Sequence, residues 1–376
     1  MILLNSLDNL IKMKSIPFQP KLKGQVKKIM WITICWTLIS MLQFFTVYAT
    51  LLSLKCSMTE LNPVRYFTGS ILVGLSAGPL GGTLIVLYWE KWLRTKSYKS
   101  SLLHIFFSYT LLYFIVTAIS QLFMNAGQLN FPFFHSMTWQ ALWSDISSFN
   151  LLSNYLFWLF VVILTLIALL VNDKYGPGVF VSFLMGKYFH PRREKRIFMF
   201  LDLRGSTTIA EKLGEDRYFN FLKDVYRHVT PEILNSRGEI YQYVGDEIVI
   251  SWNEDSGTKN ANSLQCFFAI QRLLSDKASY YKEHYNGIVP VFKAGLHYGF
   301  VMAGEIGIVK RDIAYSGDVL NTTARIQSKC NELGVTILIS KYLLDKLELL
   351  STPFKPTVVG EMALRGKQQT VMLYTV

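Results

Sequence analysis

Four long apolar runs in the first half of the chain restrict its folding more than any other feature. Residues 30–54, 71–89, 102–124 and 151–171 each approach the roughly 20 residues that an α-helix needs to cross a hydrocarbon core. In lipid the backbone must satisfy its own hydrogen bonds, so the expected unit is an all-α, four-helix transmembrane domain. The first run is too long for a signal-peptide core and lacks a small-residue cleavage pattern, which makes it a retained span. Gly78, Pro79, Gly81 and Gly82 predict that the second span is kinked or packed tightly on a neighbour. The chain as a whole is 51% hydrophobic and 17% charged, too apolar for an ordinary soluble protein, while leaving length for one globular domain.

The net charge of +12 would suit nucleic acid, but its placement argues for a membrane border and against a nucleic-acid partner. Lys12, Lys14, Lys21, Lys23, Lys27 and Lys28 precede the first span, and Lys91, Arg94, Lys96 and Lys99 follow the second. The loop 125–150 has only Asp145, and the loop after Leu54 has only Lys55, Glu60 and Arg65. The positive-inside rule therefore predicts a multi-pass protein of the plasma or inner membrane with both termini cytoplasmic. Phe131, Phe133, Phe134, Trp139 and Trp143 in the outer loop read as an interfacial aromatic belt, and they identify no ligand. His104 and Asn154 fall near span ends and read as interfacial. Cys35, Cys56, Cys266 and Cys330 show neither metal-type spacing nor a paired framework, so they read as packing residues.

The organisation expected is a basic tail 1–29, a membrane domain 30–171, a linker 172–195 and a globular domain 196–376. Gly176, Pro177 and Gly178 break the last span, and residues 179–188 fit a short amphipathic helix on the inner membrane surface. A signal transducer and a passive linker both remain open for this stretch.

The globular half is organised around RIFMFLDLRGST, beginning at Arg196, and YQYVGDEIVISWN, beginning at Tyr241. Asp202 closes an apolar strand-like run, and Gly205, Ser206 and Thr207 open a helix whose amides would face an anion. Asp246 follows Gly245 at the tight turn of a β-hairpin. Alone, either aspartate reads as a helix cap or a turn residue. Together at one end of a sheet, they are hard oxygen ligands beside phosphate-binding amides, which suits Mg²⁺ or Mn²⁺ holding a nucleoside triphosphate. Residues 206–236 have helical periodicity, as do 262–283 and 319–333. Strands are expected at 292–304, 313–315, 335–339, 357–362 and 370–376, giving an α/β sandwich. In RDIAYSGDVLNTTARIQ, Asn321 and Arg325 project from one helix face.

These motifs resemble the class III nucleotide cyclase catalytic domain, with its FxD(L/I)xGST element, its Gly-Asp hairpin and its NxxxR helix. The resemblance covers residues 196–376 and implies a ferredoxin-like α/β (α+β) core. It also implies two divalent ions, Mg²⁺ or Mn²⁺, held by Asp202, Asp246 and the main chain at Leu203. Arg204, Gly205, Ser206 and Thr207 would hold phosphates, and so would Arg365, where the family's LKGK segment reads LRGK. Asn321 would orient the ribose, and Arg325 would stabilise charge on the α-phosphate. Gln242 and Ala314 occupy the positions that read the purine edge. Gln242 can both donate and accept, Ala314 offers no polar group, and the Glu wanted for guanine is missing; the expectation is therefore ATP ahead of GTP. The implied activity is conversion of ATP to 3′,5′-cyclic AMP and pyrophosphate in signal transduction, by a homodimer with composite sites. Three rivals stand beside it: a guanylate or dual-specificity cyclase, a diguanylate cyclase suggested by VGDEI, and a catalytically inactive nucleotide-sensing membrane receptor.

Overall fold

In the computed structural model the described residues are 20–54, 63–95, 97–129, 131–132, 134–146, 149–175, 182, 185–309, 311–349, 352–363 and 370–376. They form two compact units, Met1–Lys174 and Tyr175–Val376.

The first unit is helical. Helix α1 (Pro20–Ser53) is followed by α2 (Pro63–Leu84), which continues through a π-helical turn, Ile85–Trp89, into α3 (Glu90–Thr95). Helices α4 (Tyr98–Leu129), α5 (Ser136–Ile146) and α6 (Phe149–Tyr175) complete it. Gly24–Ser53, Phe67–Trp89, Lys99–Ile119 and Phe149–Asn172 are long and apolar enough to cross a membrane. Pro79 lies within α2, and a Cβ on Gly78 would stand 2.6 Å from Thr33 Cα, so α1 and α2 approach to backbone contact there. Trp36 and Trp158 pack edge to face at 5.8 Å inside the unit. Polar side chains join the helices, with Trp36 Nε1 donating to Thr165 Oγ1 at 3.0 Å and Gln43 Nε2 donating to Asn154 Oδ1 at 3.0 Å. Leu42, Leu72, Phe107, Leu111 and Phe160 face outward, an arrangement suited to an apolar solvent. Within the loop 125–150 the structure adds a helix that composition did not announce. In α5, Thr138 and Leu142 are buried while Trp139 and Trp143 are exposed.

The second unit is a mixed sheet between two helical layers. In chain order it holds β1 (Arg192–Leu203), α7 (Ser206–Leu213), α8 (Glu215–Asn235), β2 (Glu239–Val244), β3 (Glu247–Asn253) and α9 (Glu254–Thr258). Then come α10 (Asn262–Asp276), α11 (Ala278–His284), β4 (Phe292–Ile306), β5 (Asp312–Ser316) and α12 (Asp318–Glu332). The chain ends with β6 (Ile337–Ser340), α13 (Lys341–Leu344), β7 (Thr357–Ala363) and β8 (Thr370–Thr375). The strand order is β2-β3-β1-β4-β6-β8-β7, with β5 paired to β4. Strand β1 runs antiparallel to both β3 and β4, whereas β4 and β6 are parallel.

The run IFMFL is apolar without alternation because β1 is covered on both faces. Ile197, Met199 and Leu201 enter the larger core with Phe221 and Val225 of α8 and Phe267 and Ile270 of α10. Phe198 and Phe200 point the other way, toward Val319 of α12. Both expected long helices are interrupted. The stretch 206–236 breaks at Gly214, whose φ of 73° lies outside helical space, and 262–283 breaks after Asp276 at Lys277. Periodicity cannot register either break, because the apolar face resumes in step. Helix α6 ends at Tyr175, and β1 begins at Arg192, before the expected domain start. Most of the expected surface helix 179–188 lies outside the described residues.

Candidate active site

Strand register brings the two aspartates to the same end of the sheet. Asp202 lies opposite Glu247, the residue after Asp246, and on its other side opposite Lys293 of β4. The turn between β2 and β3 is Gly245-Asp246, closed by the pair Val244 and Glu247, with Gly245 at φ 62° as a two-residue hairpin requires. Tyr226 of α8 secures this turn. Its hydroxyl donates to the Gly245 carbonyl at 2.7 Å, and its ring stacks on Tyr243 at 4.6 Å.

Electrostatics at this end favour a cation. Lys293 Nζ lies 2.9 Å from Asp202 Oδ2, and Gln327 Nε2 donates to the same oxygen at 2.9 Å. Burial nevertheless pushes the Asp202 carboxyl above its usual range, and the charge of Asp246 adds to it, outweighing Lys293. Glu247 is pushed up to about 7 by burial and then by Asp202 and Asp246. Burial and Asp246 raise the Tyr218 and Tyr226 hydroxyls too. Asp202, Asp246 and Glu247 thus gather three carboxyl groups at this end of the sheet, with Lys293 paired to Asp202.

The donor set fits a hard divalent ion. Among the described residues no three His, Cys, Asp or Glu side chains gather as a metal cluster. The protein would thus offer two carboxylates and the Leu203 carbonyl, leaving the other positions to phosphate and water, which is how Mg²⁺ is usually held. Helix α7 starts directly after this strand end. Arg204, Gly205 and Thr207 are exposed and Ser206 is half-buried, so the loop and the first helical amides are open to an anion.

Helix α12 lies against β4 so closely that a Cβ on Gly295 would stand 2.4 Å from Gln327 N. That contact sets the height at which Gln327 reaches Asp202. Asn321, exposed, and Arg325, half-buried, lie N-terminal to Gln327 on the same helix. The charges acting most strongly on Asp202 are Lys293 and Asp246, not Arg325. The aspartates are thus brought together within one chain, and the side chain of α12 shown bonded to Asp202 is Gln327.

Gln242 is exposed on β2, and Ala314 is half-buried on β5. Strict alternation along β2 does not hold, because a bulge between Ile240 and Gln242 leaves Tyr241 out of register. Arg365 lies outside the described residues. Sequence reading missed Lys293, Gln327 and Tyr226. Each acts through a partner distant in sequence, and only the β1–β4 register and the packing of α8 and α12 reveal them.

Comparison with known proteins identifies the family of the second unit. The profile of the adenylate and guanylate cyclase catalytic domain matches residues 190–376. The chain is 37% identical over 205 residues to adenylate cyclase 2 of Rhizobium meliloti, covering 53% of this chain and 54% of that protein. It is 25% identical over 201 residues to guanylate cyclase 2D of Rattus norvegicus, covering 53% of this chain and 18% of that protein. The chain therefore spans about half the length of the first relative and far less of the second. A bacterial light-regulated adenylyl cyclase has the same fold, with a TM-score of 0.50 at 19% identity, covering 61% of this chain and 66% of that one. With its paired aspartates, its Gly-Asp hairpin and its NxxxR helix on one mixed sheet, the second half of this chain belongs to the class III nucleotide cyclases.

Proposed function

We propose that the protein is a membrane-anchored adenylate cyclase that converts ATP to 3′,5′-cyclic AMP and pyrophosphate. The observation that carries this is the convergence of Asp202 and Asp246 beside the open N-terminus of α7, where burial and mutual repulsion make a cation welcome. In the reaction the ribose 3′-hydroxyl gives its proton to water as its oxygen bonds to the α-phosphorus, and the bond from that phosphorus to the bridging oxygen breaks, releasing pyrophosphate. Asp202, Asp246 and the Leu203 carbonyl would hold two divalent ions, Mg²⁺ or Mn²⁺, which when bound would neutralise the triphosphate and lower the pKa of the 3′-hydroxyl. The amides of Arg204, Gly205, Ser206 and Thr207 cradle phosphate oxygens, and Arg365 adds charge to them. Asn321 holds the ribose. The permanently charged, planar guanidinium of Arg325 faces the α-phosphate as negative charge builds on its oxygens.

Arg325 acts on the site of a second copy in this reading, which fits Gln327 being the side chain of α12 that bonds to Asp202 within one chain. The working unit is then a homodimer with two shared sites. Basic residues around the span ends support a cytoplasmic catalytic domain that four spans would anchor to the bilayer.

GTP is the second substrate to consider. The Gln242 amide can pair with either purine, and Ala314 adds no polar discrimination. Purified full-length protein in nanodiscs, assayed with ATP and with GTP in Mg²⁺ and Mn²⁺, tests the proposal. Cyclic AMP as the main product supports it, cyclic GMP as the main product transfers the reading to guanylate cyclase, and no cyclic product from either refutes both.

A further inference from the structure

The two positions assigned to the purine edge stand on strands that do not pair with each other. Strand β2 is at the edge of the sheet beyond β3, while β5 hangs on β4, with β1 between them. Their relative placement needs a direct tie if Gln242 and Ala314 are to meet one flat base. We infer that Tyr241 supplies it, and that this tyrosine is a positioning residue for nucleotide selectivity; the inference rests on the cyclase reading above.

The bulge in β2 is what makes the tie. It falls between Ile240 and Gln242, so Tyr241 is the extra residue that the ladder does not pair. A bulged residue can be re-aimed, and here the ring crosses the sheet face. It meets Phe198 of β1 at 6.4 Å and Tyr315 of β5 at 5.0 Å, in tilted and edge-on contacts. The Tyr241 hydroxyl accepts a hydrogen bond from the Tyr315 backbone N–H at 3.3 Å. That N–H belongs to the peptide group joining Ala314 to Tyr315, and Tyr241 is bonded directly to Gln242. One hydrogen bond therefore spans the two base-reading positions with no other residue between.

A second leg supports the same geometry from below. The Arg196 guanidinium lies under the Tyr315 ring at 4.7 Å, and the side chain is only 2% exposed. Arg196 Nη1 reaches Glu239 Oε2 at 2.5 Å at the start of β2, and its Nε reaches Glu194 Oε2 at 2.9 Å. A fully paired buried charge of this kind fixes geometry more than it adds stability. It ties β2 to β5 as the tyrosine does, but at the far end of β2 from the Gly-Asp turn.

The test compares full-length Tyr241→Phe and Tyr241→Leu with the parent, measuring kcat and KM for ATP and for GTP. Tyr241→Phe keeps the ring and removes only the hydroxyl. Its expected effect is a rise of roughly fivefold in KM for the preferred nucleotide, the size of one lost hydrogen bond. The ratio of kcat/KM between the two nucleotides should fall toward unity, with kcat and melting temperature close to the parent's. Tyr241→Leu should erode the ratio further. A Tyr241→Phe enzyme with the parental ratio overturns the inference, whatever its kcat, because a residue that merely holds the fold would lower both substrates alike. Failure of the cyclase reading itself is separate: there the parent makes no cyclic nucleotide from either triphosphate.

Discussion

Asp202 is half-buried, and its carboxyl is raised by burial and by Asp246 even though Lys293 stands 2.9 Å away. For an acid, a raised folded-state pKa means that the charged form is disfavoured by folding. At pH 7 the ionised group therefore costs stability, a cost that disappears as pH falls below its ordinary value near 4. If Asp202 holds a metal ion as proposed, this cost is one that function would maintain at the expense of the fold. Asp202→Asn should accordingly lower kcat by at least about 100-fold, as loss of a group that stabilises transition-state charge does. Its melting temperature at pH 7 should stay near the parent's or rise. Cyclic nucleotide assays beside a thermal melt check this, and a large fall in stability would make Asp202 a structural residue. Asp202 and Asp246 were legible in the sequence because each ends an apolar run with a turn signal behind it. Lys293 was not, since nothing local marks a lysine as the partner of a residue two strands of sequence away. Gln242 was legible as a position, but the break in its strand's alternation was not, because a bulge leaves no compositional trace.

At the level of elements, the site depends on how α8 and α12 seat against the sheet. Asp224 of α8 accepts from the hydroxyls of Tyr280, at 2.6 Å, and Tyr285, at 2.8 Å, which tie α8 to α11. Burial pushes this carboxyl up, but the two hydroxyls, with Arg227 at 2.9 Å, outweigh burial and hold it below the usual range. The stabilisation is thus fully present above the unfolded value of about 3.9 and is lost as pH falls through the lower folded value. Asp224→Asn should melt earlier than the parent at pH 7, by a few degrees for a loss of about 1 kcal/mol. The two melting curves should converge below pH 4. A gap that persists at low pH would show that the contribution is not ionic. On the other face, Gly295 leaves room for Gln327 N where a Cβ would stand 2.4 Å away, and that nitrogen belongs to rigid main chain. Gly295→Ala should therefore displace α12, costing about 1–3 kcal/mol of stability. Activity should fall with it, because Gln327 and Arg325 ride on the same helix. Unchanged activity and melting would show that α12 yields without consequence. The order and type of these elements followed from apolar periodicity. The helix breaks at Gly214 and Lys277 did not, because each new helix resumes the same buried face.

For the whole molecule, one chain supplies a single pair of aspartates and a single NxxxR helix, and Arg325 is not among the charges that dominate Asp202. Two copies related by a twofold axis would bring each aspartate pair to the other chain's arginine, giving two equivalent sites. The four helices are long and apolar enough to cross a membrane, and chains held in one bilayer would meet at high effective concentration, which would favour such pairing. Complementation turns this into a measurement. Full-length Asp246→Ala and Arg325→Ala chains should each be inactive alone. In a mixed dimer, one site carries both lesions and the other carries neither. Random pairing of equal amounts makes half the dimers mixed, each with one intact site of two, so activity should return to roughly a quarter of the parental value. Crosslinking with two different tags establishes that mixed dimers have formed. Inactivity despite proven mixing would confine each site to one chain, and Arg325 would then have to reach the Asp202 of its own chain by a movement of α12 over Gly295.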